Sequence, residues 1–344
     1  MAFTTQELEN IANATLDFHL KGVHSQIVQN KPLMKSLEAK AKGFPGSKAV
    51  ITERVKGVYT TGLQGYTHND TVAYANPANI KQVQYPWKEL HAGITVTLTE
   101  LKANGISVVD SENGRKTTGP EDGEMFQLVN LLEDKLEDMT EGSQSAFQAM
   151  LWKDGTQDAK EIPGVRSLIL NAPATAGQTV GGLATDANAW WRNRALLAIN
   201  NATTHLPDVL QSEFRQLGRY ARSPKWEMFA GSAWLDATEA QLRAKGTYTD
   251  AGWSKTGSID VAMSGVSFKQ KMIDYDPMLD TLGLSKYLFV LDMNAIRLRP
   301  MNGEAWKKHN PARPATQYAI YRAITYTGGL TARQLNSSGI YSIA

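Results

Sequence analysis

The chain has 344 residues, with 36 basic against 34 acidic side chains, a net charge of +2 and 42% hydrophobic residues, the make-up of a folded globular protein. It contains no cysteine, which excludes a disulfide framework, a thiolate nucleophile and any cysteine-based zinc or iron–sulfur site. Near-neutrality argues against a dedicated nucleic-acid binder, and apolar runs such as Tyr287 to Leu291 fall far short of the roughly 20 residues of a membrane helix.

Residues 1–150 hold 14 basic and 18 acidic side chains and the remainder 22 and 16, so the two parts carry −4 and +6, an asymmetry that suggests complementary faces. The opening residues Met1 to Asn10 show neither a basic start followed by an apolar stretch nor a small-residue cleavage site, so folding in a cytoplasm is expected.

In chain order, Thr4 or Thr5 can cap a first helix whose apolar positions Leu8, Ile11, Ala12, Leu16 and Leu20 recur at helical spacing and end near Gly22. Residues Lys31 to Lys56 are rich in lysine and broken by Pro32, Gly43, Pro45 and Gly46, which predicts an extended arm with little core of its own. From Tyr59 to Gly105 the signal turns to β. Gln82 to Tyr85 and Ile94 to Leu98 alternate, with His91-Ala92-Gly93 between them, and predict a long hairpin or loop that needs covering if it projects.

The strongest helix prediction is Gly123 to Trp152, with Met125, Leu128, Val129, Leu132, Leu136 and Met139 on one stripe. Its other face carries Glu133, Asp134, Glu137, Asp138 and Glu141, and like charges four apart oppose an isolated helix by roughly 0.2 to 0.5 kcal/mol per pair. Two readings stay open: a solvated face, or a face awaiting a basic partner such as Lys40 and Lys42 of the arm. Residues Asp154 to Asn188 read as a long Gly, Ala, Thr and Pro-rich loop in which only Val165 to Leu170 is strand-like. A helix over Leu206 to Ala221, a strand over Glu227 to Ala230 and a helix over Ser232 to Lys245 follow. Lys286 to Asp292 and Ala295 to Arg299 flank Met293-Asn294 as a hairpin, and Tyr318 to Thr325 closes a sheet.

Catalytic patterns are missing. The six histidines lack the i, i+4 spacing of a helical zinc pair, so no metal and no cofactor is expected. There is no phosphate-cradling GxxxxGK or dinucleotide GxGxxG, and Gly252-Trp-Ser254-Lys-Thr-Gly257 is one residue too long for a nucleophile elbow. Asp274 and Asp276 lie in an Asp-Tyr-Asp-Pro run that predicts a turn. Trp190 and Trp191, beside Arg192 and Arg194, suit anchoring between neighbours better than base stacking.

Three phrases carry a resemblance. Gly181-Gly-Leu-Ala-Thr-Asp-Ala-Asn-Ala-Trp-Trp-Arg-Asn-Arg194, Trp226-Glu-Met-Phe-Ala-Gly-Ser-Ala-Trp-Leu-Asp236, and Asp274-Tyr-Asp-Pro277 followed by Lys286-Tyr-Leu-Phe-Val-Leu-Asp292 occur in the order found in the major capsid proteins of tailed double-stranded DNA bacteriophages, which the whole chain resembles. The resemblance implies an α+β fold with an extended N-terminal arm (1–50), a long β-hairpin E-loop (51–110), a P-domain (111–185) with a spine helix over 123–152, a mixed α/β A-domain (mainly 186–290), and return strands over 291–344. It further implies a non-enzymatic subunit that assembles with itself as hexamers and pentamers into an icosahedral shell around packaged double-stranded DNA, in a virion assembled in a bacterial cytoplasm. The partners implied are a portal protein and scaffolding, cement or decoration proteins, and no membrane. The scaffolding segment that often precedes the arm has no counterpart here, so a separate scaffold or none is expected. Lys81 and Lys88 fall where some members carry a crosslinking lysine, but no partner asparagine or glutamate can be matched and no crosslink is expected. Lys40, Lys42, Glu137, Asp138, Trp190 and Trp191 are the expected inter-subunit contacts. Lys307, Lys308 and Arg313 read either as an interior-facing or as a solvated basic group. An encapsulin-type nanocompartment shell and, further off, a soluble hydrolase are the alternatives.

Overall fold

The computed structural model describes residues 3–4, 29–74, 76, 79–103, 108–109, 122–221, 223–244, 266–269, 271–310 and 319–344. These fall into two compact units. The first contains residues 89–147 and 301–327 with the N-terminal 29; the second contains 30–88, 148–300 and 328–344. Both are discontinuous in sequence, so each needs contacts between segments far apart in the chain.

In chain order the strands and helices are β1 (Phe3–Thr4), α1 (Pro32–Glu38), β2 (Val50–Lys56), β3 (Ile80–Pro86), β4 (Lys88–Thr97), α2 (Leu98–Ala103), β5 (Val108–Val109), α3 (Asp122–Trp152), α4 (Val165–Leu168), β6 (Thr179–Val180) and β7 (Leu183–Ala184). There follow β8 (Arg194–Ile199), α5 (Leu206–Gly218), β9 (Trp226–Ala230), α6 (Ser232–Ala244), β10 (Ser267–Phe268), β11 (Lys271–Tyr275), α7 (Pro277–Thr281), β12 (Tyr287–Asp292), β13 (Ile296–Pro300), β14 (Lys307–His309), β15 (Ala319–Ala332) and β16 (Gly339–Ile343).

The first unit is organised on α3, whose 31 residues make it about 46 Å long. Leu136 and Met139, three apart and so on one face, are buried with Ile324 of β15, and Ala92, Ile94 and Trp306 pack around them. Phe147 continues that stripe against Trp306 and Tyr326, at ring distances of 5.4 and 4.9 Å. Strand β15 pairs here with β14 and β4. The predicted first helix lies outside the described residues apart from Thr4, which sits in β1, parallel to β5.

The second unit centres on a six-stranded mixed sheet of order β10-β11-β9-β12-β16-β8. Strand β12 pairs with β9 on one side and β16 on the other, and its residues Leu288 to Asp292 are all buried, the pattern of a central strand covered on both faces. Helix α5 lays Leu206, Leu210, Phe214 and Leu217 onto this sheet at 3.6-residue spacing, and Trp234 of α6 is fully buried in the same core.

A buried polar node joins three helices. Asp276, with no exposed surface, caps α7 by accepting the Met278 N–H at 3.0 Å. Its other oxygen accepts from Gln148 Nε2 at 2.5 Å and from Trp152 Nε1 at 2.7 Å at the end of α3. The carbonyl of Gln148 accepts the Met34 N–H of α1. The last carbonyls of α3 are closed off by Gly164, where a Cβ would lie 2.4–2.5 Å from the oxygens of Met150, Leu151 and Lys153, so only glycine fits.

Several sequence expectations need correction. Residues 31–38 are not extended: Pro32 starts α1, and Leu33, Met34 and Leu37 are buried at helical spacing while Lys35 between them is exposed. The two alternating stretches over 80–98 do not pair with each other. β2 pairs with β3 from Val50↔Pro86 to Lys56↔Ile80, and β4 runs on to β15 with His91-Ala92-Gly93 in mid-strand. Val165 to Leu168 forms a helical turn after Gly164, and the amide of Asn193 then satisfies both backbone groups of Leu170. The predicted hairpin at 286–299 is an arch: β12 is already flanked by β9 and β16, so β13 leaves to pair with β15.

Candidate assembly interface

The ribbon of β2 and β3 is built on its buried face from Ile51, Glu53 and Val55 of one strand and Val83 and Tyr85 of the other. Its foot is fastened by charge. Glu53, 7% exposed, lies 2.8 Å from Arg333 Nε and 3.7 Å from Arg299 Nη1, so a buried carboxylate ties β2 to β13 and to the residue after β15. Tyr85 donates its hydroxyl proton to the Ala332 carbonyl at 2.9 Å, and burial pushes its phenol above the usual range. Trp87 packs near Phe44 and donates to the Lys48 carbonyl.

The neck is pinned as well: the Gly57 N–H bonds to Asn79 O at 2.8 Å, and Trp190 lies so close to Gly57 that a Cβ there would come within 3.1 Å of the ring. Beyond the neck, the described residues within 57–79 form the tip. Among its described residues Val58, Tyr59, Leu63, Tyr66, Val72 and Tyr74 are exposed, as is Ile80 just after them, and Leu63 makes no contact that shields it from water. Asp70 organises one turn by accepting from Thr67 N and Oγ1, and these bonds hold its carboxyl below the usual range. Asp70 and His68 are the sole ionisable groups over 57–79 apart from the tyrosines. The sequence places this stretch in a β region that needs covering if it projects, without singling out its tip residues. The available signal was composition: three tyrosines among Gly, Thr and Asn with almost no charge, a make-up that binding loops share.

A cleft of about 240 Å³ lies beside the ribbon foot, lined by Tyr85, Pro86, Pro163, Leu168, Val180 and Leu330 with small polar neighbours and no charged side chain. It holds no nucleophile and base pair. Among the described residues no group of three or more His, Asp or Glu side chains is placed to hold a metal ion, and no helix is long and apolar enough to cross a membrane.

Of the expected contact residues, Lys40 is half-buried just after α1 and Lys42 is exposed, its N–H donating to Leu298 O at 3.0 Å. Desolvation, aided by the neighbouring Lys225 ammonium, holds the Lys40 amine below its ordinary value. On α3, Glu137 is half-buried and Asp138 exposed, with Asp134 on the same face. These lysines belong to the second unit and the acidic pair to the first. Lys135 breaks the acidic run and pairs with Glu100 of α2 at 2.9 Å, and the Thr97 N–H and Lys135 hold the Glu100 carboxyl below its usual range. Trp190 is half-buried, with Lys81 Nζ 6.0 Å from its ring centre and bonded to Asn188 Oδ1 at 2.8 Å. Trp191 is 1% exposed and donates to Val180 O, so its indole is used up within its own subunit. Lys307 pairs with Glu304, and Ser254 and Arg313 lie outside the described residues.

No protein-family model and no curated protein matches the sequence. Solved structures do match, over nearly the whole chain. The asymmetric unit of the cyanophage A-1(L) capsid superimposes with a TM-score of 0.63 at 12% identity, covering 93% of this chain and 94% of that one. The capsid of cyanophage P-SCSP1u gives 0.56 at 10% identity over 94% and 91%, and the capsid of the native GTA particle 0.54 at 11% identity over 94% and 93%. The chain therefore has the tailed-phage capsid fold, as the resemblance implied.

Proposed function

We propose that this chain is the major capsid protein of a tailed bacteriophage, a non-enzymatic subunit that assembles with itself into an icosahedral shell around double-stranded DNA. The observation that carries this reading is the ribbon tip: a segment that leaves Leu63, Tyr59, Tyr66 and Tyr74 in water buries nothing in its own subunit, and in a tightly fastened ribbon that surface exists for a neighbour. The capsid fold supports the same reading. In it, residues 1–50 act as the N-terminal arm, 51–110 as the E-loop, 111–185 as the P-domain, 186–290 mainly as the A-domain and 291–344 as return strands. Hexamers and pentamers, a portal protein, scaffolding and cement or decoration proteins, and packaged DNA complete the particle, assembled in a bacterial cytoplasm. A net charge of +2 fits a container that holds DNA by closure and needs no tight sites.

The test is expression of the chain alone, followed by size-exclusion chromatography and negative-stain electron microscopy. Rings or closed shells are expected; a compact monomer at every salt and protein concentration would overturn the proposal.

A further inference from the structure

The shell reading makes no use of Lys225 or Arg297, which the fold brings beside Lys40. We propose that these three side chains form a binding site for a phosphate group on each subunit.

Backbone contacts build the site from three distant segments. Past the end of α1 the Lys42 N–H donates to Leu298 O and the Phe44 N–H to Pro300 O, both at 3.0 Å, which lays this stretch along β13. Lys225, just before β9, is held to the turn that leads into β13. Its N–H donates to Asp292 Oδ1 at 3.1 Å, its carbonyl accepts the Met293 N–H at 3.0 Å, and Asn294 Nδ2 donates to Ser223 O at 2.8 Å. Arg297 is oriented by donating from Nε to Asn294 O at 3.2 Å, a bond that does not engage its two Nη groups.

The result is a contact between like charges. The Lys40 and Lys225 side chains meet, with Arg297 near enough to act on Lys40, and desolvation together with these neighbours holds the Lys40 amine below its ordinary value. Glu227 lies 3.7 Å from Lys225 Nζ, and the buried Asp292 is turned to the backbone N–H groups of Lys225 and Asn294. Carboxylate is thus already supplied here, and the cations still crowd one another. A phosphate suits them better than a further carboxylate, because the oxygens around its tetrahedral centre accept from several sides and match both an arginine fork and ammonium donors. Lys225 is exposed and Lys40 and Arg297 are half-buried, so an anion can reach them from solvent. Inorganic phosphate and a phosphodiester of duplex DNA share this chemistry.

The test is a phosphorus NMR titration of inorganic phosphate with the full chain, against chloride at equal ionic strength. Saturable binding is expected, weakened about tenfold or more by Lys225→Gln with Arg297→Gln. Lys225→Arg should largely keep it, and Lys286→Gln, at the opposite end of β12, should leave it unchanged. No saturable binding beyond chloride, or equal weakening by Lys286→Gln, would overturn the site. Neither result touches the shell reading, which stands or falls on particle formation, and Lys225 and Arg297 take no part in the expected pairing of Lys40 and Lys42 with α3. On the unaltered protein, phosphate should also protect Lys40 and Lys225, but not Lys286, from amine acylation read by mass spectrometry; equal labelling would likewise overturn the site. A short duplex distinguishes the source. If a diester occupies the site, the double substitution lowers the slope of log affinity against log salt by about 1; an unchanged slope beside intact phosphate binding assigns the site to free phosphate.

Discussion

Replacing Asp276 by alanine removes the acceptor on which the end of α3 and the start of α7 converge. The side chain has no exposed surface, and water cannot substitute for it. Its loss orphans the Gln148 amide and the Trp152 indole N–H, each costing about 1–3 kcal/mol, and removes a helix cap worth about 1 kcal/mol. The expected destabilisation is therefore about 3–7 kcal/mol. Asp276→Asn should recover little of it, because whichever way the amide turns, its NH2 faces a donor. Burial pushes the Asp276 carboxyl above its ordinary value of 3.8, against the hydrogen bonds from Trp152, Met278 and Gln148. The folded protein thus holds the proton to higher pH than the unfolded chain does. The contribution of this group is fully present below 3.8 and is lost as pH rises through the folded value, so the penalty of Asp276→Asn should shrink from acid to neutral pH. Urea unfolding of the unassembled subunit, followed by tryptophan fluorescence at several pH values, measures both quantities. A loss for Asp276→Ala below about 1 kcal/mol, the scale of a surface substitution, would refute the reasoning.

Three further outcomes are expected. Glu53→Ala leaves the Arg299 guanidinium buried without its counter-charge, which should cost about 3–5 kcal/mol and speed limited proteolysis within residues 50–86; a melting profile identical to wild type would contradict this. Leu63→Asp should change subunit stability by less than about 0.5 kcal/mol, since the side chain touches nothing, yet abolish particles seen by electron microscopy; normal assembly would mean the tip is idle. Reversing Glu137 and Asp138 to lysine should impair assembly, and reversing Lys40 and Lys42 to glutamate as well should partly restore it. Each such surface pair would contribute only about 0–1 kcal/mol, repeated around the proposed shell, and wild-type assembly of the first variant would end the idea.

Legibility in the sequence followed the range of the interactions involved. Helix α3 was readable because Leu136 and Met139 repeat an apolar period over thirty residues, and the strand Trp226–Ala230 with the helix after it was readable because each is fixed by its own pattern. Pairings were not. Val50 to Lys56 finds its partner across a 23-residue loop, and nothing local distinguishes Ile80–Pro86 from Lys88–Thr97 as that partner. Likewise the segments around Met293-Asn294 have the pattern of a hairpin, and only the prior claim of β9 and β16 on β12 prevents it. Of the candidate contact residues, the acidic ones are legible as a periodic face, whereas the ribbon tip has no period and Trp191 announces nothing about its burial.

The fastened foot and bare tip of the ribbon also set a clock. On the proposed shell role, from the moment a subunit folds its oily tip would be the surface for chance encounters with membranes, proteases or misfolded chains, and each would compete with arrival of a correct neighbour. Correct encounters rise with the square of subunit concentration and losses to the surroundings only with its first power. A slow trickle of synthesis would thus be wasted, while a burst would be converted into product.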